Sequence, residues 1–319
     1  ITPEEKTINN NLIIDKHAYL SCGIGIVVID LSKEEVSDTY YIGPEGSHLQ
    51  VIDMAFTEEL FFDATEDGIY TADRNDPNLA FFGSWTKDLT MPEPNATYNH
   101  IANNAGTIYV NRYTEAFKED KMYFLRDGSW LTDDEAFSDE DVNDMKSFNG
   151  ELFVSYNYFL KSFDTDHNPI KIIWTYYTET GGPNISGIDL EGDVLWMADA
   201  RYGLVSERNN EFKFYTPNSP KKADVFDMDL AGGHLWTADG GRNLSWGNIW
   251  NRGSVSSFIE GTWNTFDSQT TPALDSIPDI VCVAVNPYDT RQVFAGSWHL
   301  GLTEFYNNEY VQLYTPENS

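Results

Sequence analysis

The sequence predicts an all-β fold, a β-propeller of seven four-stranded blades. Three observations predict it: a phrase repeated seven times, a blade-sized interval between copies, and an alternating run ahead of each copy. The phrase is β-rich and closes on Gly plus an aliphatic residue. Its clearest copies are LWMADARYGLVSE from Leu195, LWTADGGRNL from Leu235, VFAGSWHLGLTEF from Val293 and LFFDATEDGIYTA from Leu60, with weaker ones from Ala18, Ile108 and Leu152. The aromatic anchors Tyr19, Phe61, Tyr109, Phe153, Trp196, Trp236 and Phe294 stand 42, 48, 44, 43, 40 and 58 residues apart. A four-stranded blade occupies about 40 to 50 residues, so each copy marks one blade.

Each blade is then read in order. Runs such as VIDMAF from Val51, VFDMDL from Val225 and IVCVAV from Ile280 alternate with period two and give the first strand. The anchor phrase supplies the second strand, a Gly-containing turn and the third. An aromatic strand such as IIWTYY, GTWNTFD or VQLYTPE closes the blade. Anchors that recur once per blade are expected to pack between blades. The blades fall over residues 1–45, 46–90, 91–138, 139–180, 181–219, 220–272 and 273–319, as one propeller domain within a longer chain. The acidic stretch from Thr132, TDDEAFSDEDVNDMKSF, is the best helical candidate and reads more safely as an inter-blade loop.

Composition narrows the function. Nine Trp, eighteen Tyr and nineteen Phe give too much apolar and aromatic surface for a disordered chain. A formal charge of −31 repels phosphate backbones, which excludes nucleic acid as a partner. No apolar run is long enough to span a bilayer, so no transmembrane segment is expected. The chain opens with Ile1, consistent with a removed signal peptide or a cut from something longer. Two cysteines, Cys22 and Cys282, build neither a disulfide framework nor a zinc site, and both fall in predicted strands, where a buried free thiol is the common outcome.

In a propeller the turns between second and third strands gather on one face, where binding groups tend to lie. Here those turns present Arg112, Tyr113, Tyr156, Tyr158, Arg201, Tyr202, Arg242, Trp298 and His299. The sixth copy carries an insertion, RNLSWGNIWNR, that sets Trp246 and Trp250 four residues apart among Asn, Ser and Gly. Long loops in compact domains are commonly functional, and solvation alone does not favour two indoles there. The candidate ligand-binding residues are Arg201, Tyr202, Arg242, Trp246, Trp250, Trp298 and His299. Aromatic faces stack on sugar rings, and Arg pairs with carboxylate or phosphate. The alternative is a loop that folds its tryptophans onto its own blade.

No catalytic residue, metal site or cofactor is expected. The six His are scattered, and no metalloprotease, nucleophile-elbow or phosphate-loop motif is present. The DTDHN stretch has Asp164, Asp166 and Asn168 at calcium-loop spacing, but Pro169 replaces the required Gly and Thr175 the closing Glu.

The phrases DVLWMADARYGL and HLWTADGG resemble the regulator-propeller repeat of periplasmic sensor regions in hybrid two-component systems. A larger part of the chain resembles the PorZ family of type IX secretion components: AYLSCGIGIVVIDLSKEEVSDTYYIG, ATEDGIYTADRNDPNLAFFGSWTK and VFAGSWHLGLTEFYNNEYVQLYTPENS. That resemblance implies a non-enzymatic protein at the outer surface of Gram-negative bacteria, with propellers followed by a sandwich-like sorting domain. It further implies a complex with a sortase and an anionic lipopolysaccharide. Contact with such a ligand requires a local basic spot or bridging cations on a −31 chain. The reading is an exported binding or docking module of the periplasm or outer-membrane surface, for lipopolysaccharide, another glycan or a partner protein. A sensor propeller of a hybrid two-component system is the alternative, and a propeller-based carbohydrate-active enzyme the third.

Overall fold

The computed structural model describes residues 2–177, 182–215, 217–222 and 224–318. Seven four-stranded antiparallel sheets account for its strands, and each sheet runs in sequence order. The blades span residues 8–40, 51–87, 98–131, 142–173, 185–215, 227–266 and 280–314. Among the described residues the helical content is four short 3-10 turns. The acidic stretch from Thr132 is a loop up to residue 141, after which Val142–Phe148 forms the first strand of blade four.

The chain divides into two compact units, residues 1–216 with blades one to five and residues 217–319 with blades six and seven. Within each unit the first strands of successive blades pack against one another. The apolar clusters lie between blades. Ile26, Val28 and Tyr40 of blade one meet Val51, Met54, Phe61 and Tyr70 of blade two, and Trp236, Val255 and Phe266 of blade six meet Val283, Val293 and Phe305 of blade seven. Each such side chain, once buried, contributes about 1.5–3 kcal/mol, so stacking blades is what stabilises sheets that are thin alone. Phe61, Tyr109, Phe153 and Trp236 sit in these clusters as the anchor pattern predicts. Trp196 instead stays half-buried and packs on Tyr215 of its own blade, ring centroids 5.3 Å apart.

The repeated Gly after the turn has a steric cause. Gly25 and Gly301 hold φ of 129° and 144°, and a Cβ there would lie 2.1 Å from Tyr40 O and 2.2 Å from Tyr314 O. The third strand thus opens where the end of the fourth approaches it, and only Gly fits.

A second shared feature lies in the first strands. Six blades carry a register shift at the same place, at Ile8/Asn10, Val51/Asp53, Tyr98/His100, Val142/Asp144, Ile185/Gly187 and Ile280/Cys282. The residue after the bulge faces a small or polar partner on the second strand, and in blades one to four its side chain bonds the next blade. Asn10 Nδ2 donates to Asp53 Oδ1, and the Ile101 N–H donates to Asp53 Oδ2 at 2.9 Å. His100 bonds the Val142 backbone. The Ile188 N–H donates to Asp144 Oδ2 at 2.8 Å, and the Val283 N–H to Asp227 Oδ2 at 3.1 Å.

Cys22 and Cys282 are both free thiols. Cys22 is buried, and burial pushes its thiol up. Cys282 departs from the expectation of a buried thiol: it lies exposed, because its strand alternates and Val283 and Val285 take the covered face.

Candidate functional site

The insertion of blade six joins the strands His234–Ala238 and Val255–Ile259, and two acceptors shape it. Asn243 closes the tip: its Oδ1 accepts the N–H groups of Ser245 (2.9 Å) and Gly247 (2.8 Å), while the Gly247 carbonyl accepts the Asn243 N–H (2.9 Å). An isolated bridge between Arg242 and Asn248 continues this into a short hairpin. Asp279, fully buried ahead of the first strand of blade seven, organises the second half. Its carboxylate accepts the N–H groups of Ile249, Trp250 and Asn251 at 2.9–3.1 Å and the side-chain amide of Asn248 at 3.0 Å. The Asp279 N–H in turn donates to Asn251 O, and the Trp298 N–H to Asp279 O.

These anchors hold both tryptophans in the left-handed region, Trp246 at φ 66° and Trp250 at φ 60°. Bulky residues rarely adopt it, and each such residue costs about 1–3 kcal/mol that the surrounding bonds must offset. The indoles do not fold onto their own blade. Trp246 leans on Trp298 of blade seven with centroids 5.8 Å apart, and Trp298 Nε1 donates to Trp246 O at 2.9 Å. Trp250 meets His299 edge-on at 5.1 Å. Trp246 and Trp250 nevertheless stay 62% and 64% exposed, a large apolar area left in water.

Arg242 completes the cluster. Its Cζ lies 3.6 Å from the Trp246 ring centroid, 5.7 Å from Phe226 and 5.8 Å from Trp298. Stacking of this kind contributes about 0.5–1 kcal/mol at an exposed site and leaves the N–H donors of the guanidinium edge available. No carboxylate among the described residues pairs with it, whereas Arg252 nearby lies 3.8 Å from Asp275. Beneath the turn, buried Asp239 accepts the hydroxyls of Thr237, Ser254 and Ser256, and desolvation pushes its carboxyl up against those bonds.

Of the seven residues nominated from sequence, the second unit therefore brings together Arg242, Trp246, Trp250, Trp298 and His299. Arg201 and Tyr202 belong to the first unit, where their N–H groups donate to Asp199 Oδ1 and Tyr202 packs on Tyr176 at 5.3 Å. Tyr156 does not line a mouth. It is fully buried and stacks on Phe159 at 4.6 Å, because a turn of only two residues keeps it within its strand. Arg112 is engaged with Glu93 at 3.0 Å, and Tyr113 and Tyr158 are exposed. In the DTDHN stretch the Asp164 carboxylate is taken up by the N–H groups of Asp166 and Asn168 and by the Asn168 amide. Sequence reasoning missed Phe226, Asn243 and Asp279; the one signal for Asp279, an Asp between Pro278 and a strand, equally fits a turn.

Comparison with known proteins rests on blades one and two for sequence and on the whole chain for fold. Residues 1–86 match the family described as TSS9, PorZ, N-terminal beta-propeller domain. The resemblance read from the sequence thus holds over those residues. A solved structure of PorZ, an essential bacterial surface component of the type-IX secretion system of Porphyromonas gingivalis, aligns at a TM-score of 0.71 and 18% identity, over 98% of this chain and 40% of that one. The chain therefore spans about two fifths of the length of that PorZ. The extracellular domain of a hybrid two component system from B. thetaiotaomicron aligns at 0.50 and 11% identity, over 96% of this chain and 39% of that one. At these identities both likenesses speak to the propeller fold. No curated protein matches the sequence. No helix among the described residues is long and apolar enough to cross a membrane.

Proposed function

We propose that the chain is a non-enzymatic, exported binding module, and that the insertion of blade six with the Trp298–His299 turn of blade seven is its ligand platform. The observation that carries this reading is Arg242: a guanidinium stacked on an indole, with no carboxylate partner among the described residues of a chain of net charge −31. In so acidic a chain, an unpaired Arg framed by exposed aromatic rings suits a ligand that offers a ring face and an anionic group together. An acidic glycan, such as a lipopolysaccharide headgroup carrying phosphate or carboxylate, meets both demands, and a partner protein is the other class of ligand. The likeness to PorZ, a surface component of a secretion system, supports a surface assembly as the setting. A binding role rather than a catalytic one fits the local chemistry, since the Asp279 carboxylate is already saturated by four donors.

The test is a glycan array and lipopolysaccharide pull-down with the full chain. Trp246→Ala combined with Trp250→Ala is expected to weaken binding at least about tenfold, the scale of losing aromatic stacking. Arg242→Gln is expected to weaken anionic ligands and spare neutral ones. Binding that is unchanged in both variants sinks the platform.

A further inference from the structure

The tip of the blade-six insertion carries a feature that stacking on a sugar does not use. Leu244 is fully exposed within the turn, and Trp246, Ile249 and Trp250 stand exposed beside it in the sequence. Apolar side chains gathered on a soluble surface mark a contact with protein or membrane. A sugar ring gains from an indole face and little from a projecting leucine. A protein partner would have to supply a pocket shaped to the tip, whereas a bilayer receives a convex apolar tip without one.

The backbone of the tip is already prepared to leave water. The N–H groups of Ser245 and Gly247 donate to Asn243 Oδ1, that of Trp246 donates to Asn243 O at 3.0 Å, and that of Asn243 donates to Gly247 O at 2.9 Å. From Asn243 to Gly247, only the Leu244 N–H is left to solvent. A loop in water needs no such closure, because water satisfies its N–H groups; in hydrocarbon an unmet group is costly.

The polar groups around the tip suit lipid headgroups. Residues 241–252 hold Arg242 and Arg252 and no acidic side chain, in a chain with 51 Asp and Glu. Arg242 stacks on Trp246, so its guanidinium edge stands beside the apolar tip as a phosphate stands beside acyl chains. Neither the Trp246 nor the Trp250 indole N–H has a partner among the described residues, which leaves both for headgroup oxygens, the usual place of tryptophan at a membrane interface. The charge of −31 opposes approach to an anionic surface, but at about 0.15 M salt charges farther than about 8 Å are largely screened.

We infer that the tip from Leu244 to Trp250 docks on a phospholipid bilayer, with Leu244 and the indoles at the acyl boundary and Arg242 on a headgroup phosphate. The inference rests on the reading of the insertion as the binding surface and commits that surface to lipid. The contact is interfacial, since one turn reaches the headgroup and acyl boundary and does not span.

Flotation of the full chain with phosphatidylcholine vesicles in about 0.15 M salt tests it. The wild type is expected to float with the vesicles, and brominated acyl chains are expected to quench its tryptophan emission. Leu244→Ser, at a fully exposed position outside the core, is expected to weaken flotation at least about tenfold, the scale of burying one leucine. The same variant is expected to keep the glycan binding that Trp246→Ala with Trp250→Ala removes, so a failed platform and a failed bilayer contact give different patterns. A wild type that does not float, or flotation and quenching that Leu244→Ser leaves unchanged, overturns the inference; glycan binding that persists in that case leaves the platform reading in place.

Discussion

At the scale of single residues, Asp63 is the strongest departure from the packing rules. It is fully buried, and neither carboxylate oxygen has a partner. Its register position pairs with Met54, and the equivalent residues elsewhere are Leu20, Val110, Val154, Met197, Thr237 and Ala295, none of them charged. Desolvation, with Asp53 nearby, raises its carboxyl well above the usual range, and desolvation likewise raises Asp53 to about 7. Both acids therefore keep in the folded state protons that the unfolded chain releases near pH 4. The contribution of these two acids to stability is greatest on the acid side of this window and falls as pH rises from about 4 through about 7, because the native state binds more protons at them. Asp63→Val is expected to stabilise the protein at pH 7 by about 1–3 kcal/mol, and to flatten this slope in denaturant titrations at several pH values. Asp133 runs the other way. The His167 side chain lowers its carboxyl, so its contribution is present above the ordinary Asp range and lost as pH falls through the depressed value.

At the scale of elements, the insertion of blade six depends on a buried acid that belongs to blade seven. Asp279 supplies the acceptor for three successive loop N–H groups and one amide. Asp279→Ala is expected to cost about 1–3 kcal/mol of local order and leave the strands intact. Hydrogen exchange should then accelerate at residues 249–251 ahead of the rest of blade six, with a fall in ligand binding like that of the tryptophan variant. This dependence explains how much of the site was legible. Trp246, Trp250 and Arg242 stood out because indoles in a polar loop break composition rules. Asn243 and Asp279 did not, because Asn and Asp in turns are ordinary, and only three-dimensional proximity reveals which N–H groups they serve. Tyr156 misled for a related reason: an aromatic residue beside a turn reads the same whether its strand has ended or not.

At the scale of the whole molecule, the seven sheets were legible because one period governs the chain and successive blades within a unit stack through their first strands. The charge of −31 was equally plain, and it opposes compaction. Raising ionic strength from about 0.01 M to about 0.1 M shortens screening from about 30 Å to about 10 Å, and should raise the melting temperature at neutral pH. An unchanged or lower value in a calorimetric salt series would contradict a repulsion-limited stability. Asn10, Asp53, His100 and Asp144 each reach the following blade, as does Asp227. Because giver and receiver lie on one strand, a blade copied in tandem carries both halves of the joint. Such repeats can lengthen by tandem duplication with the joint already in place.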